Sequence, residues 1–217
     1  YKNTSKTNYD CIIPVSGDKD SYFVVDIVKN HFNMNPLLVS YNTHFNTQVG
    51  IRNLQNLKTI FGCDLYQQNV NPKFAKEMVR YTLNKIGSIF WHNHAGNTVF
   101  PVHIATKLKI PLIIWGLHQG VDQVGMFSHE DEVEMTRKYR KEHDLMGFEA
   151  EDLADSEDFP GEIKNDILKY FYPSDESISK IALRGIYLSN YIRWDSKNQH
   201  EKMIKKYDYH TLRQTRT

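Results

Sequence analysis

Cys11-Ile12-Ile13-Pro14-Val15-Ser16-Gly17-Asp18-Lys19-Asp20-Ser21 is the stretch whose reading decides the fold. An apolar run of strand length breaks at Ser16-Gly17. An amphipathic segment over residues 21–32 follows, with Val24, Ile27, Val28 and His31 at helical spacing. A strand, a tight turn and a helix start gather backbone N–H groups at the positive end of a helix dipole. That geometry binds anions, most often phosphate. Ser16 and Ser21 add hydroxyl donors and Lys19 a mobile positive charge. A plain strand-to-helix turn capped by serine or aspartate has the same residue pattern, so local chemistry leaves both readings open.

Outward from this turn, strands and helices alternate. Residues 10–15, 36–41, 64–68 and 111–115 read as strands, with a further short one over 88–91. Residues 21–32, 47–61, the segment opened by Pro72, and 100–108 read as helices. The rhythm predicts an α/β fold: a parallel sheet with helices on both faces, in three Rossmann-like layers. Ligands of such sheets bind beyond the carboxyl ends of the strands. The turn after the first strand, the corner at 41–43, and loops at 92–98 and 116–120 are then expected on one rim. Residues 1–125 form this core. Residues 126–217 read as a mostly helical extension, with helices over 128–143, 162–172 and 196–207, an acidic loop or short helix at 149–159, and strand formers over 184–194.

With 217 residues, 40% hydrophobic and 24% charged, the chain has enough apolar material for a sizeable core. A net charge of +1 argues against a nucleic-acid partner. Cys11 and Cys63 make no CxxC pair and read as buried free thiols of a cytoplasmic protein. No apolar run reaches the length of a membrane span, and no signal peptide is visible. The chain begins at a tyrosine and ends at Arg216-Thr217, which reads as truncation at both ends.

Ser16-Gly17-x-x-Asp20-Ser21 after an apolar strand resembles the PP-loop of the ATP pyrophosphatase superfamily, whose fold is adenine nucleotide alpha hydrolase-like. Four later segments carry a narrower resemblance: His92-Asn93-His94-Ala95-Gly96, Pro111-Leu112-Ile113-Ile114-Trp115-Gly116, residues 134–144, and residues 187–195. Together they resemble the N-acetyl sugar amidotransferases of bacterial surface-polysaccharide and pseudaminic-type sugar biosynthesis. The resemblance implies that ATP adenylates the N-acetyl oxygen of a sugar and that ammonia then displaces AMP, leaving an acetamidino group. It implies ATP and Mg2+ as cofactors, with Ser16, Gly17, Asp18, Lys19, Asp20 and Ser21 around the phosphates. Val39, Tyr41 and Gly116 would lie along the nucleotide. Lys19 and Asp20 would act catalytically, Lys19 by offsetting charge and Asp20 by orienting the loop or holding Mg2+. The implied partners are an N-acetylated, nucleotide-linked sugar and a separate glutaminase subunit, with a cyclase-like barrel subunit or a homodimer as further assemblies.

Two positions depart from that pattern. Asp18 replaces a second glycine. Aspartate enters left-handed conformations less readily than glycine, and its carboxylate opposes phosphate by about 4 kcal/mol at about 4 Å and an effective dielectric near 20. Leu117 stands where Trp-Gly-Glu-His is expected, removing a rim carboxylate. His92, His94, His118, Asn190 and Arg193 are the candidate sugar contacts. The histidines read equally as hydrogen-bonded loop residues, and they lack the cysteine or carboxylate spacing of a zinc site. Trp91 and Trp115 read as core. The Arg137–Lys141 run reads as a solvated face or as a docking surface for the glutaminase. Beside the amidotransferase stand two other readings: another PP-loop ligase, such as a tRNA-thiolation enzyme, and a degenerate nucleotide-binding scaffold.

Overall fold

A computed structural model describes residues 8–118 and 132–212. Five parallel strands form one sheet: β1 (Cys11–Pro14), β2 (Pro36–Asn42), β3 (Leu65–Asn69), β4 (Leu112–Trp115) and β5 (Arg184–Tyr187), in the order β3-β2-β1-β4-β5. Side chains of a strand alternate between faces, and the core divides accordingly. Cys11, Ile13, Val15, Leu38 and Ile114 pack on one face with α1 (Lys19–Asp26), α2 (Gln48–Phe61) and Met203 of the last helix. Ile12, Leu37, Val39 and Ile113 pack on the other with α4 (Trp91–Leu108). The expected three-layer α/β architecture is therefore what the chain forms. Cys11 and Cys63 are buried and free. No helix among the described residues is long and apolar enough to cross a membrane.

Local chemistry sets the early elements. Thr47 caps α2 by accepting from the Gly50 N–H, and Gly62 ends it at φ +56°. Asn71 caps α3 (Pro72–Ile86), with Pro72 in the first turn and Gly87 closing it at φ +71°. Helix α1 runs on through a π-helical turn, Ile27–His31.

Several expectations change. Residues 88–91 form no strand, and 92–98 form no rim loop. Residues 88–90 are irregular chain ahead of α4, and 91–98 are its opening turns; the helix is 18 residues long and contains Pro101 in its interior. Proline removes one intrahelical hydrogen bond, but Val99, Pro101, Val102 and Ala105 are all buried, so packing holds the helix together across it. The strand over 184–194 stops at Tyr187 and turns into a 3-10 segment, Leu188–Asn190.

After residue 131 the chain forms short pieces: α5 (Arg137–Tyr139) with a π-helical turn Arg140–Asp144, α6 (Ala150–Ala154), 3-10 turns Gly161–Ile163 and Ile167–Tyr170, and α7 (Asp175–Ser179). Ser128, the expected cap for the 128–143 helix, lies outside the described residues. Thr136 caps α5 instead. Leu145, Leu153, Ile163 and Ile167 from these pieces form a third core with Phe74, Met78, Trp91 and Ala95 of α3 and α4. The last helix, α8 (Ser196–Tyr207), returns to α1. Asp26, only 4% exposed, receives hydrogen bonds from Lys206 (2.8 Å), Tyr207 (2.5 Å) and Asn30 (2.7 Å).

Candidate functional site

The chain crosses from β1 outward to β2 and β3, then back to β4 on the other side of β1. This reversal opens a crevice at the carboxyl ends of β1 and β4, where ligands of open α/β sheets bind. The Ser16–Ser21 turn fills that corner. Gly17 is the residue with the left-handed backbone, at φ +84°, and a Cβ there would stand 2.9 Å from both Cβ and the backbone N of Leu54 on α2. Conformation and close approach both require glycine at this position.

Asp18 needs no such freedom. Its backbone is extended (φ −82°, ψ 178°), and its Oδ1 accepts from the Ser21 N–H at 2.8 Å as the N-cap of α1. The expected conformational cost of replacing the second glycine is therefore absent. Ser21 in turn accepts from the Ser16 N–H through its Oγ at 3.0 Å, and Lys19 Nζ lies 2.8 Å from both oxygens of Asp20. The Tyr209 phenol, just past α8, sits against this corner. Burial raises its pKa, with the charges of Asp18 and Asp20 acting in the same direction. The Asp18 carboxylate thus occupies one N–H group at the start of α1, with Tyr209 beside it.

A cavity of about 360 Å3 opens from the turn. Among the expected nucleotide residues, Ser16, Asp18, Asp20, Ser21, Val39, Tyr41 and Gly116 all line it, as does Leu117. Gly17 backs onto a neighbouring cavity of about 300 Å3, shared with Tyr209 and His210. Asn42 and Thr43 of the expected 41–43 corner and Asn97 of the 92–98 segment add amide and hydroxyl groups, and Asn46 adds an amide that sequence reading did not select. Asn42 organises its own corner: Oδ1 accepts from the His44 N–H (3.0 Å) and from Asn46 (2.6 Å), while its amide donates to Asn69 (2.8 Å). The Tyr41-Asn42-Thr43 corner was legible as part of the rim. Asn97 falls within the 92–98 segment expected on the rim, but it reaches the cavity from helix α4 rather than from a loop.

The sugar-contact candidates fall elsewhere. His92, His94, His118, Asn190 and Arg193 do not line the cavity. His92 sits in the first turn of α4, 2% exposed. Burial, with smaller contributions from His44 and His94, pushes its pKa down to about 4, so it is neutral at pH 7. His94 is exposed beside Phe90. His118 is buried against Tyr187 (ring centroids 4.4 Å) and Tyr139 (5.4 Å). Asn190 donates to the Val133 carbonyl at 2.8 Å, and Arg193 is exposed. Trp91 is core, as expected, with its indole N–H donated to the Phe148 carbonyl. Trp115 instead lines the cavity. The Arg137–Lys141 run is only in part a solvated face, with Arg137 and Lys138 exposed. Arg140 is buried and paired with Glu149, Arg137 reaches Glu149 and Glu151, and Lys141 reaches Asp152 at 2.8 Å. These cations tie α5 to α6 within the chain.

No protein-family model matches the chain, and no curated protein matches it. Among solved structures, the chain is similar to an NH3-dependent NAD synthetase from Campylobacter jejuni, at 11% identity and TM-score 0.42, covering 98% of this chain and 92% of that one. An NMN synthetase from Francisella tularensis follows at 10% identity and TM-score 0.41, covering 96% and 90%. A U34-tRNA thiolase from Methanococcus maripaludis gives 11% identity and TM-score 0.36, covering 96% and 74%. No residue role follows from these likenesses.

Proposed function

We propose that the chain is an ATP-dependent, AMP-forming amidotransferase of the PP-loop type, acting on the N-acetyl group of a sugar. The observation that carries this reading is the β1–α1 corner. Gly17 is pressed onto Leu54, and the turn it makes faces a cavity at the sheet's reversal point. The Ser16 and Ser21 hydroxyls and the start of α1 would bind phosphate oxygens, with Lys19 above them. Asp20 supplies a hard oxygen donor of the kind Mg2+ takes together with nucleotide phosphates. Val39 and Tyr41 would flank the base. ATP supplies an adenylyl group that turns the N-acetyl oxygen into a leaving group, and ammonia, delivered by a separate glutaminase, then displaces AMP.

A second reading, a nucleotide-binding scaffold without turnover, is favoured by one observation: Asp18 already holds the Ser21 N–H that a phosphate would take. The experiment that separates the two is AMP formation from ATP, Mg2+, ammonium and a panel of N-acetylated sugars, run on the native chain and on Asp18→Gly. Sugar-dependent AMP and an acetamidino product by mass spectrometry support the enzyme. ATP binding without AMP in both proteins supports the scaffold.

A further inference from the structure

A second, larger cavity of about 990 Å3 lies on the α4 side of the sheet, between edge strand β3, the second half of α4, the Ile167–Tyr170 turn and α7. That volume is at the upper end of what a single small-molecule ligand fills. Its floor is apolar and aromatic. Tyr66, 44% exposed on an edge strand, and Phe100 lie with ring centroids 5.9 Å apart, and Val99 and Ile104 continue the wall. Its rim is cationic: Lys107, Lys109, Lys169 and Lys180 stand against a single carboxylate, Asp166, which pairs with Lys169 at 2.6 Å. Tyr41 lines both this cavity and the one at the β1–α1 corner, so one side chain separates them. Its ring lies flush on Gly96, where any Cβ would collide with it, and its hydroxyl meets that of Tyr170 at 2.5 Å.

We infer that this groove binds an organic diphosphate whose flat or apolar body rests on Tyr66 and Phe100 while its charged end meets the lysines. An apolar floor alone would accept neutral hydrophobes, and a lysine rim alone would accept inorganic phosphate. Together they select a molecule with both parts. The assignment of this ligand as the acceptor that presents its amide past Tyr41 rests on the proposed function. The binding itself does not.

Two sources share this chemistry, a nucleoside diphosphate and a prenyl diphosphate. Calorimetric titration of the intact chain with UDP, geranyl diphosphate and inorganic diphosphate separates them. UDP or geranyl diphosphate, whichever is the source, is expected to bind at least tenfold more tightly than inorganic diphosphate. Lys107→Glu combined with Lys180→Glu, both exposed positions, is expected to weaken that binding tenfold or more, and Phe100→Ala to weaken it several-fold. Ser16→Glu, which places a negative charge at the other cavity, is expected to leave it unchanged. Failure of both organic ligands to bind, equal binding of inorganic diphosphate, or indifference to lysine reversal overturns the inference. Loss of binding in Ser16→Glu also overturns it, because the ligand would then sit at the β1–α1 corner. Groove binding in a chain that ignores ATP would instead count against the nucleotide reading alone.

Discussion

Asp18→Asn isolates one charge at the proposed phosphate site. Asparagine is as good an N-cap as aspartate, and the backbone at this position is ordinary extended chain. The variant therefore keeps the bond to the Ser21 N–H and the shape of the turn while removing the carboxylate charge. The electrostatic gain for a bound phosphate is bracketed by solvent. A unit charge at about 4 Å contributes about 4 kcal/mol at an effective dielectric near 20 and about 1 kcal/mol in bulk water. Asp18 is exposed, which moves the expectation towards the lower bound. The expected result is ATP–Mg2+ binding tightened about tenfold, some 1.4 kcal/mol, at low ionic strength. Thermal stability should change little, because the cap survives. Isothermal titration at about 50 mM and about 500 mM salt checks both sign and origin, since the gap between native and variant should shrink as screening grows. Unchanged or weaker ATP binding in Asp18→Asn would refute the reasoning, because the carboxylate would then face away from the phosphates or be needed to hold the cation.

Gly17→Ala places a methyl group against Leu54 at a left-handed backbone position; a loss of about 1–3 kcal/mol in denaturant unfolding, together with loss of any ATP-induced thermal shift, is expected. Arg140→Met leaves the buried Glu149 carboxylate with Arg137, at 3.5 Å, as its remaining charge partner, which should cost about 3 kcal/mol, whereas the double change Arg140→Met with Glu149→Leu should recover most of it; equal losses in the single and double variants would contradict that account. His92 carries a folded pKa near 4 against an ordinary value of 6.5, depressed first by burial. A depressed folded pKa gives stability that is present above the unfolded value and is lost as pH falls from about 6.5 towards 4, on the order of 3 kcal/mol. Urea titrations across that window should show the decline in the native chain and a flatter profile in His92→Gln.

The first half of the fold was legible because its punctuation is local. Gly17, Gly62 and Gly87 end or turn elements through positive φ, Pro72 opens a helix, and the apolar runs of β1, β2 and β4 have strand length. Each signal lies within a few residues of the feature it sets. The strand–turn–helix corner at Ser16–Ser21 was legible for the same reason, and seven of the residues expected along a nucleotide line one cavity beside it. Helix α4 was legible only over 100–108, because Gly96 lies in a segment that reads as a loop and Pro101 is a residue that commonly opens a helix. The reasons they are tolerated are tertiary: Gly96 accepts the Tyr41 ring, and Pro101 is buried. The charged run at Arg137–Lys141 misled in the opposite direction. Its partners are Glu149, Glu151 and Asp152 on the following helix, and pairing at that separation leaves no periodic mark. The organic-anion groove was invisible, since it is assembled from β3, α4 and the short turns after residue 160, segments that meet only in the folded chain.

The most direct test of the account is a crystal structure of the chain with a non-hydrolysable ATP analogue and Mg2+. It should show phosphate oxygens within hydrogen-bonding distance of the N–H groups at the start of α1 and of the Ser16 and Ser21 hydroxyls, the Asp18 carboxylate turned away from the Ser21 N–H, and the base along Val39 and Tyr41. An analogue bound elsewhere, with Asp18 still seated on the Ser21 N–H, would contradict it.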